Sequence, residues 1–569
     1  MPSLSKLLLC LASFLLVEAA PSFGGGRLER RSVGSTISTP TGTYQGKILS
    51  RVEQWQGIPY AQQPIGELRF ASPQPLALTN DTTVQSKIVF GPRCGQYVNG
   101  VLSEECLNLN IYRPQGTRQT AGLPVMVYIF GGSFMGGGAN SYKPTNLVLR
   151  SKAISKSVII VTLDYRLGAL GFLVSPELRE QGALNLGLQD QAMAFQWVQD
   201  NIALFGGDPS KVTIFGQSAG AIAVSMHLSS IRPENSTDLF RAAILESGAP
   251  GTAPAFDYTS SYPAKKAPSD GTKYSLILAS AGCSAVIAEE QLACLRNATA
   301  ASILVGQSKV KTYGGFPYAP TVDGLMVPDL PSKLYSAGNL RRVPLIVGTN
   351  LDEGPEFVSS TTYYSTALTT DAQLLAWLGN QLPDATSTAI AALVRFYPST
   401  QSYGSPYNTG NVKYLFKQFK RASSIFGDLA FEAPRRALLA AANQWSGVDG
   451  GEMPVWSYQF SQRSEGEAEY LGVSHGAEIP WVWSTVNATT PEQITLRNGM
   501  SDYWINFAND LNPNGAINTT STTPLVWPAY EQQNKTSISF KVNATELIAD
   551  TFRAGGISYI NNNPDVFGQ

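Results

Sequence analysis

The sequence predicts an α/β fold: one large, mostly parallel central sheet with helices on both faces. Three observations carry that expectation. Short apolar, β-branched runs recur along the 569 residues, helix-like stretches fall between several of them, and 52 Gly and 35 Pro punctuate the pattern without a low-complexity composition. Continuously apolar short runs suit strands covered on both sides, which is what a parallel sheet requires. At 43% apolar residues the chain can bury a sizeable core.

The first nineteen residues read as a signal peptide. Lys6 precedes an apolar run from Leu7 to Val17, and Val17-Glu18-Ala19 offers the small residues a signal peptidase accepts. That run is too short to span a bilayer. Residues 20–31 read as a pro-segment or linker ending in Arg30-Arg31, a candidate dibasic processing site. Residues 32–569 show no repeat and no clean linker, and read as a single domain. Strands are expected at Val125 to Phe130, Val158 to Leu163, Val212 to Phe215, Ala242 to Leu245, Pro344 to Val347 and Val455 to Phe460. Helices are expected at Asn185 to Phe205, Ser218 to Leu228, Ala372 to Phe396 and Leu415 to Trp445. The Ser/Thr/Pro/Tyr-rich segments Gly251 to Thr272 and Ser359 to Thr370 read as loops on the substrate side.

Composition narrows the function. Charges nearly cancel, 41 Lys+Arg against 42 Asp+Glu, and make up only 15% of residues, which argues against a nucleic-acid binder. No later segment reaches eighteen apolar residues and the C-terminus is polar, so no stable membrane anchor is expected and the mature protein should be secreted and extracellular. Cys10 lies in the leader, leaving Cys94, Cys106, Cys283 and Cys294; the simplest pairing joins the two close pairs. Each such disulfide would contribute roughly 3 kcal/mol. With only two histidines, neither near a cysteine pair, no metal site is expected. Asn-x-Ser/Thr sequons at Asn80, Asn235, Asn297, Asn487, Asn518, Asn534 and Asn543 are glycosylation candidates. Nothing in the sequence speaks to oligomeric state.

The chemistry centres on a serine. Two Gly-x-Ser-x-Gly pentapeptides occur, where chance alone gives roughly 0.4. Gly216-Gln217-Ser218-Ala219-Gly220 follows an expected strand and leads into an expected helix; Gly472-Val473-Ser474-His475-Gly476 follows a polar stretch. Only the first provides the strand, tight turn and helix that expose a strained serine hydroxyl, so Ser218 is the candidate nucleophile. Such a hydroxyl needs a neighbouring base. His227 lies nine residues along the helix that Ser218 begins, about 13 Å down its axis and on the opposite side. His475 is therefore the base by elimination. An acid should follow a strand between the two, and the strand ending at Val347 runs through Gly348-Thr349-Asn350-Leu351 into Asp352-Glu353. Residue chemistry leaves Asp352 and Glu353 tied. Oxyanion donors are expected from Ala219 and from the loop Gly131-Gly132-Ser133-Phe134.

With those residues in place, the chain resembles the type-B carboxylesterase and lipase family, the cholinesterase-like branch of the α/β-hydrolases, from about Gly42 to Phe552. The resemblance rests on Gly57-Ile58-Pro59-Tyr60-Ala61 with Leu68-Arg69-Phe70, on Ser103-Glu104-Glu105-Cys106-Leu107-Asn108-Leu109-Asn110, and on Asp164-Tyr165-Arg166-Leu167-Gly168. It continues in Asn185-Leu186-Gly187-Leu188-Gln189-Asp190-Gln191, Phe205-Gly206-Gly207-Asp208-Pro209 and Trp527-Pro528-Ala529-Tyr530. It implies an α/β-hydrolase fold and a serine carboxylic-ester hydrolase acting on small-molecule or lipid esters without a cofactor. It further implies Ser218 as nucleophile, Glu353 rather than Asp352 as acid, His475 as base, and the amides of Gly132, Ser133 and Ala219 as oxyanion hole. Ser247 would place a hydroxyl behind the acid, and Arg69 with Glu104 and Arg166 with Asp190 would be buried structural pairs. Relatives of this fold that serve as non-catalytic adhesion modules have lost the nucleophile, which this chain keeps.

Three departures from the family pattern are informative. Gln217 stands where the family usually has Glu, and no Trp lies between Gly95 and Glu105, which together argue against a cholinesterase. Ser133 replaces the third glycine of the oxyanion loop, so a negative φ is expected there. Cys94 and Cys106 enclose only eleven residues, too few for the long amphipathic flap of the family's lipases. An open-site esterase for aryl, feruloyl or short to medium-chain esters is the expectation, with a lipase or sterol esterase using Trp481, Trp483 or Tyr363 as the alternative.

Overall fold

The structure is a computed structural model that describes residues 32–96, 103–231, 238–253, 256–257, 270–310, 316–360, 368–382, 384–448, 451–515 and 525–569. The expected leader and linker, the sequons at Asn235 and Asn518, Tyr363, and most of both irregular segments lie outside them.

The strands are β1 (Ser32–Thr39), β2 (Gly42–Leu49), β3 (Val52–Pro59), β4 (Val84–Ser86), β5 (Asn108–Pro114), β6 (Leu123–Ile129), β7 (Ile159–Leu163), β8 (Gly207–Gln217) and β9 (Ala242–Glu246). They continue with β10 (Phe256–Asp257), β11 (Thr321–Val322), β12 (Leu345–Asn350), β13 (Val455–Phe460), β14 (Thr536–Phe540) and β15 (Glu546–Ala549). The main sheet runs β1-β2-β3-β5-β7-β6-β8-β9-β12-β13-β14-β15, with β4 beside β2. From β7 through β14 every pairing is parallel; β1–β2, β2–β3, β3–β5, the β5–β7 junction and the β14–β15 edge are antiparallel, and β4 lies parallel to β2. The six strands expected from apolar runs are β6, β7, β8, β9, β12 and β13, and β7, β9, β12 and β13 are buried along their whole length. Helices on both faces make that burial possible.

The expected helices are present with two corrections. The stretch from Ala372 to Phe396 is two helices, Asp371–Gln381 and Ser387–Val394, the second begun by Thr386, whose hydroxyl accepts from Ala389 N at 3.1 Å. The stretch from Leu415 to Trp445 begins later and changes pitch: α-helix Phe419–Gly427, a π-helical turn Asp428–Glu432, then α-helix Ala433–Trp445. Pro434 explains the wide turn, since it has no N–H to donate to the preceding turn. That region carries its own apolar cluster, in which Val358, Trp377, Phe419, Phe426 and Phe431 meet Ile557 and Ile560 near the C-terminus.

Disulfides join Cys94 to Cys106 and Cys283 to Cys294. Arg69 pairs bidentately with Glu104 at 2.7 and 2.5 Å, partly buried, and Arg166 with Asp190 at 2.8 and 2.7 Å, fully buried. Within the described residues, the sequon residues Asn80, Asn297, Asn487, Asn534 and Asn543 are all exposed, and no helix is long and apolar enough to cross a membrane.

Candidate active site

The site lies where parallel strands end. β6 runs into Gly131, β8 into Ser218, β9 into Ser247 and β12 into the loop carrying Glu353, so one edge of the sheet gathers residues far apart in the chain.

Ser218 sits between β8 and the helix Ala219–Ser229 with φ 56° and ψ −127°, a conformation that costs roughly 1–3 kcal/mol and persists because neighbours fix it. Its amide donates to Glu246 O at 2.9 Å, and its carbonyl accepts from Ile222 N at 2.9 Å. Two glycines make the turn sterically feasible. A Cβ on Gly220 would lie 2.0 Å from Ile129 O, and one on Gly216 would lie 2.6 Å from Gly220 C. Ser218 is 7% exposed, at the positive end of a helix macrodipole.

His475 follows β13 by a long loop and its side chain is 6% exposed. Its Nδ1 faces Glu353 Oε2 at 2.6 Å. Its Nε2 lies 3.2 Å from the side-chain nitrogen of Gln217, the residue next to Ser218, rather than on Ser218 Oγ. The imidazole therefore reaches the elbow through the residue that precedes Ser218. Phe357 and Phe431 pack on the ring with centroids 5.2 and 4.9 Å away, and the π-helical turn is what carries Phe431 there.

The two adjacent acids point in different directions. Glu353 is 3% exposed, and its other oxygen accepts from Asn350 N at 2.6 Å. Asp352 accepts from Ser405 Oγ at 2.7 Å, Tyr407 N at 2.8 Å and Val473 N at 3.0 Å, pinning two loops beside the site. His227 is placed elsewhere: it is buried, with Nε2 2.9 Å from Gln191 Oε1 and the ring against Phe195.

The glycine loop departs from expectation at one residue. Ser133 has φ +53° and Phe134 φ +59°, so the expected negative φ at Ser133 is wrong. The two form a left-handed turn closed by Met135 N donating to Gly132 O at 2.9 Å, and positive φ at both central positions is what that turn type demands. Phe134 locks it, fully buried against Phe172 and accepting Gly168 N at 2.7 Å. Gly132, at φ +119°, and Ser133 have amides with no acceptor among the described residues, and Ala219 is the first residue of its helix, where N–H groups lack intrahelical partners. Ser247 also has positive φ; its N–H donates to Gly348 O at 2.9 Å, while its buried Oγ has no partner among the described residues.

Charge around the imidazole is one-sided. Burial alone would depress the His475 pKa, but Glu353, then Glu356 and Glu478, outweigh it and hold it above its ordinary value. Glu478 is fully buried, accepts from Asn350 Nδ2 at 2.5 Å, and is pushed up to about 7 by burial and by the Glu353 charge. Burial likewise raises Glu356. Sequence reasoning missed Glu356, Glu478, Phe357 and Phe431. The spacing His475-Gly476-Ala477-Glu478 was a usable signal, since three residues is about one turn. It also missed Gln96, whose side chain both donates to and accepts from the Gly137 backbone, at 2.8 and 3.1 Å, and braces the glycine loop.

A strained serine elbow at the end of a parallel strand, with a histidine and a buried carboxylate delivered by later loops, defines an α/β-hydrolase. The chain belongs to the carboxylesterase family, which it matches over residues 34–555, and it is a carboxylic ester hydrolase. It is similar to Lipase 4 of Diutina rugosa, 33% identical over 99% of this chain and 100% of that one. It is 34% identical to Secreted lipase 1 of Botryotinia fuckeliana, over 92% of each. The crystal structure of Aspergillus niger EstA superposes with a TM-score of 0.78 at 27% identity, covering 94% of this chain and 99% of that one.

Proposed function

We propose that the protein is a secreted esterase, one hydrolase unit over residues 32–569, that cleaves esters through an acyl-enzyme on Ser218. The observation that carries this reading is His475, held by Glu353 at 2.6 Å on one side and reaching the Ser218 turn on the other. Ser218 Oγ attacks the ester carbonyl while His475 Nε2 takes its proton; Glu353 stabilises the resulting imidazolium. The oxyanion is received by the amides of Gly132, Ser133 and Ala219. The carbonyl–alkoxy bond then breaks, the alcohol leaves with the proton from His475, and water repeats the cycle on the acyl-enzyme. Hydrolysis of nitrophenyl butyrate by wild type and S218A is the test: a loss of at least about 10³-fold is expected, and equal rates would overturn the reading.

The short Cys94–Cys106 loop favours an open site for dissolved or dispersed aryl, feruloyl or short to medium-chain esters. A lipase is the second reading, favoured by the names of the fungal relatives. Rate measured against tributyrin concentration separates them: a smooth saturating curve is expected, and a jump in rate at the solubility limit would favour the lipase.

A further inference from the structure

Gln217 bridges two parts of the site. Its side-chain nitrogen lies 3.2 Å from His475 Nε2, and its Oε1 is directed at Gly131, 3.0 Å from where a Cβ there would stand. A Cβ on Gly476 would lie 3.5 Å from the same nitrogen, so the amide packs on the histidine loop as well.

We propose that Gln217 is a positioning residue that donates its side-chain N–H to the Nε2 lone pair of His475, selects the neutral ring with its proton on Nδ1, and holds that lone pair at the Ser218 turn until the hydroxyl takes its place. The inference rests on His475 being the base. The ring's other contact supports it. Glu353 Oε2 at 2.6 Å from Nδ1 requires a proton on Nδ1. Were the amide reversed, Oε1 would require a proton on Nε2 too, and the ring would be an imidazolium that cannot accept from Ser218. The orientation with the amide nitrogen on the ring is thus the one compatible with a working base.

The arrangement matters because the charged groups facing the ring among the described residues act the opposite way. Glu353 and Glu356 from the acid loop and its helix, and Glu478 from the segment after the histidine, favour the imidazolium; Phe357 and Phe431 cover its faces without charge. Gln217, at the end of β8, is the uncharged donor that favours the neutral form. At 3.2 Å the contact is long enough to be exchanged for the Ser218 hydroxyl as substrate binds.

Two variants and two readouts test this. Q217E replaces the donor with a carboxylate that accepts from protonated Nε2, so the acid limb of kcat/KM should move up by about one pH unit, a tenfold loss below both limbs. Q217L removes the donor without adding charge, and its limb should move the same way by about a threefold loss. Titration of the His475 ring in histidine-labelled protein by NMR should follow the same order, and with two histidines in the chain the assignment is direct. Limbs and titrations of both variants overlaying wild type would overturn the proposal, as would a rate loss equal at all pH values. Because the NMR titration does not depend on turnover, a failure of the esterase reading would be seen separately, as absent hydrolysis with a shifted ring.

Discussion

Replacing Glu353 by Gln tests the division of labour between two adjacent acids. When His475 accepts the Ser218 proton, the imidazolium faces the Glu353 carboxylate across 2.6 Å, with the two side chains 6% and 2% exposed. Taking about 4 Å between charge centres and an effective dielectric of about 20, the pair is worth about 4 kcal/mol. That lies inside the roughly 3–5 kcal/mol lost when a buried pair is broken. At about 1.4 kcal/mol per decade, kcat should fall about 10³-fold in E353Q. The pH profile adds a second signature. The Glu353 charge helps hold the His475 pKa above its ordinary value, so its removal must lower that pKa. Activity requires the neutral ring, so the acid limb of E353Q moves to lower pH while the plateau drops. D352N should behave differently, because among the described residues Asp352 accepts from Ser405, Tyr407 and Val473 and not from the imidazole. It should lose about 1–3 kcal/mol of stability and less than about tenfold in kcat. Steady-state kinetics on nitrophenyl butyrate across pH reads both; a larger kcat loss in D352N than in E353Q would refute the reasoning.

Three further outcomes follow from the same geometry. In E356Q, one of the acids that raise the His475 pKa loses its charge, so the acid limb should shift to lower pH by less than in E353Q, measured by the same profiles. S133V puts a β-branched residue at φ +53°, so the oxyanion turn should open and kcat fall about 10²-fold with KM changing much less. R166M leaves the fully buried Asp190 without its guanidinium, which should cost about 3–5 kcal/mol and show as a lowered thermal midpoint.

What the sequence revealed depended on how local each determinant is. β7, β9 and the apolar runs within β6 and β8 were legible because a strand segment buried on both faces is largely apolar. β1 and β2 were not, because Ser32–Thr39 and Gly42–Leu49 are rich in Ser, Thr and Gly and only partly buried. The helix Pro491–Asp510 escaped although its start is marked by Thr490, Pro491 and Gln493, a capping box with proline in the first turn. Ser218 was marked by its flanking glycines and His475 by the scarcity of histidine. The choice between Asp352 and Glu353 was not local: Asp352 is claimed by loops more than fifty residues away, which leaves Glu353 to face the imidazole. Ser133 was misjudged for a similar reason, because the burial of Phe134 dictates the turn.

The wide turn at Asp428–Glu432 sets the phase of everything after it. Each residue of an α-helix advances about 100° around the axis. Upstream of that turn Arg421 binds the Tyr397 carbonyl; downstream Arg435 grips Glu432 and Asp550. Deleting one residue there to restore regular pitch would swing Arg435 about a quarter-turn away from Asp550 and carry Phe431 off the imidazole. Length at this point is thus a shared constraint, tying the anchoring of the C-terminal segment to the aromatic wall of the active site.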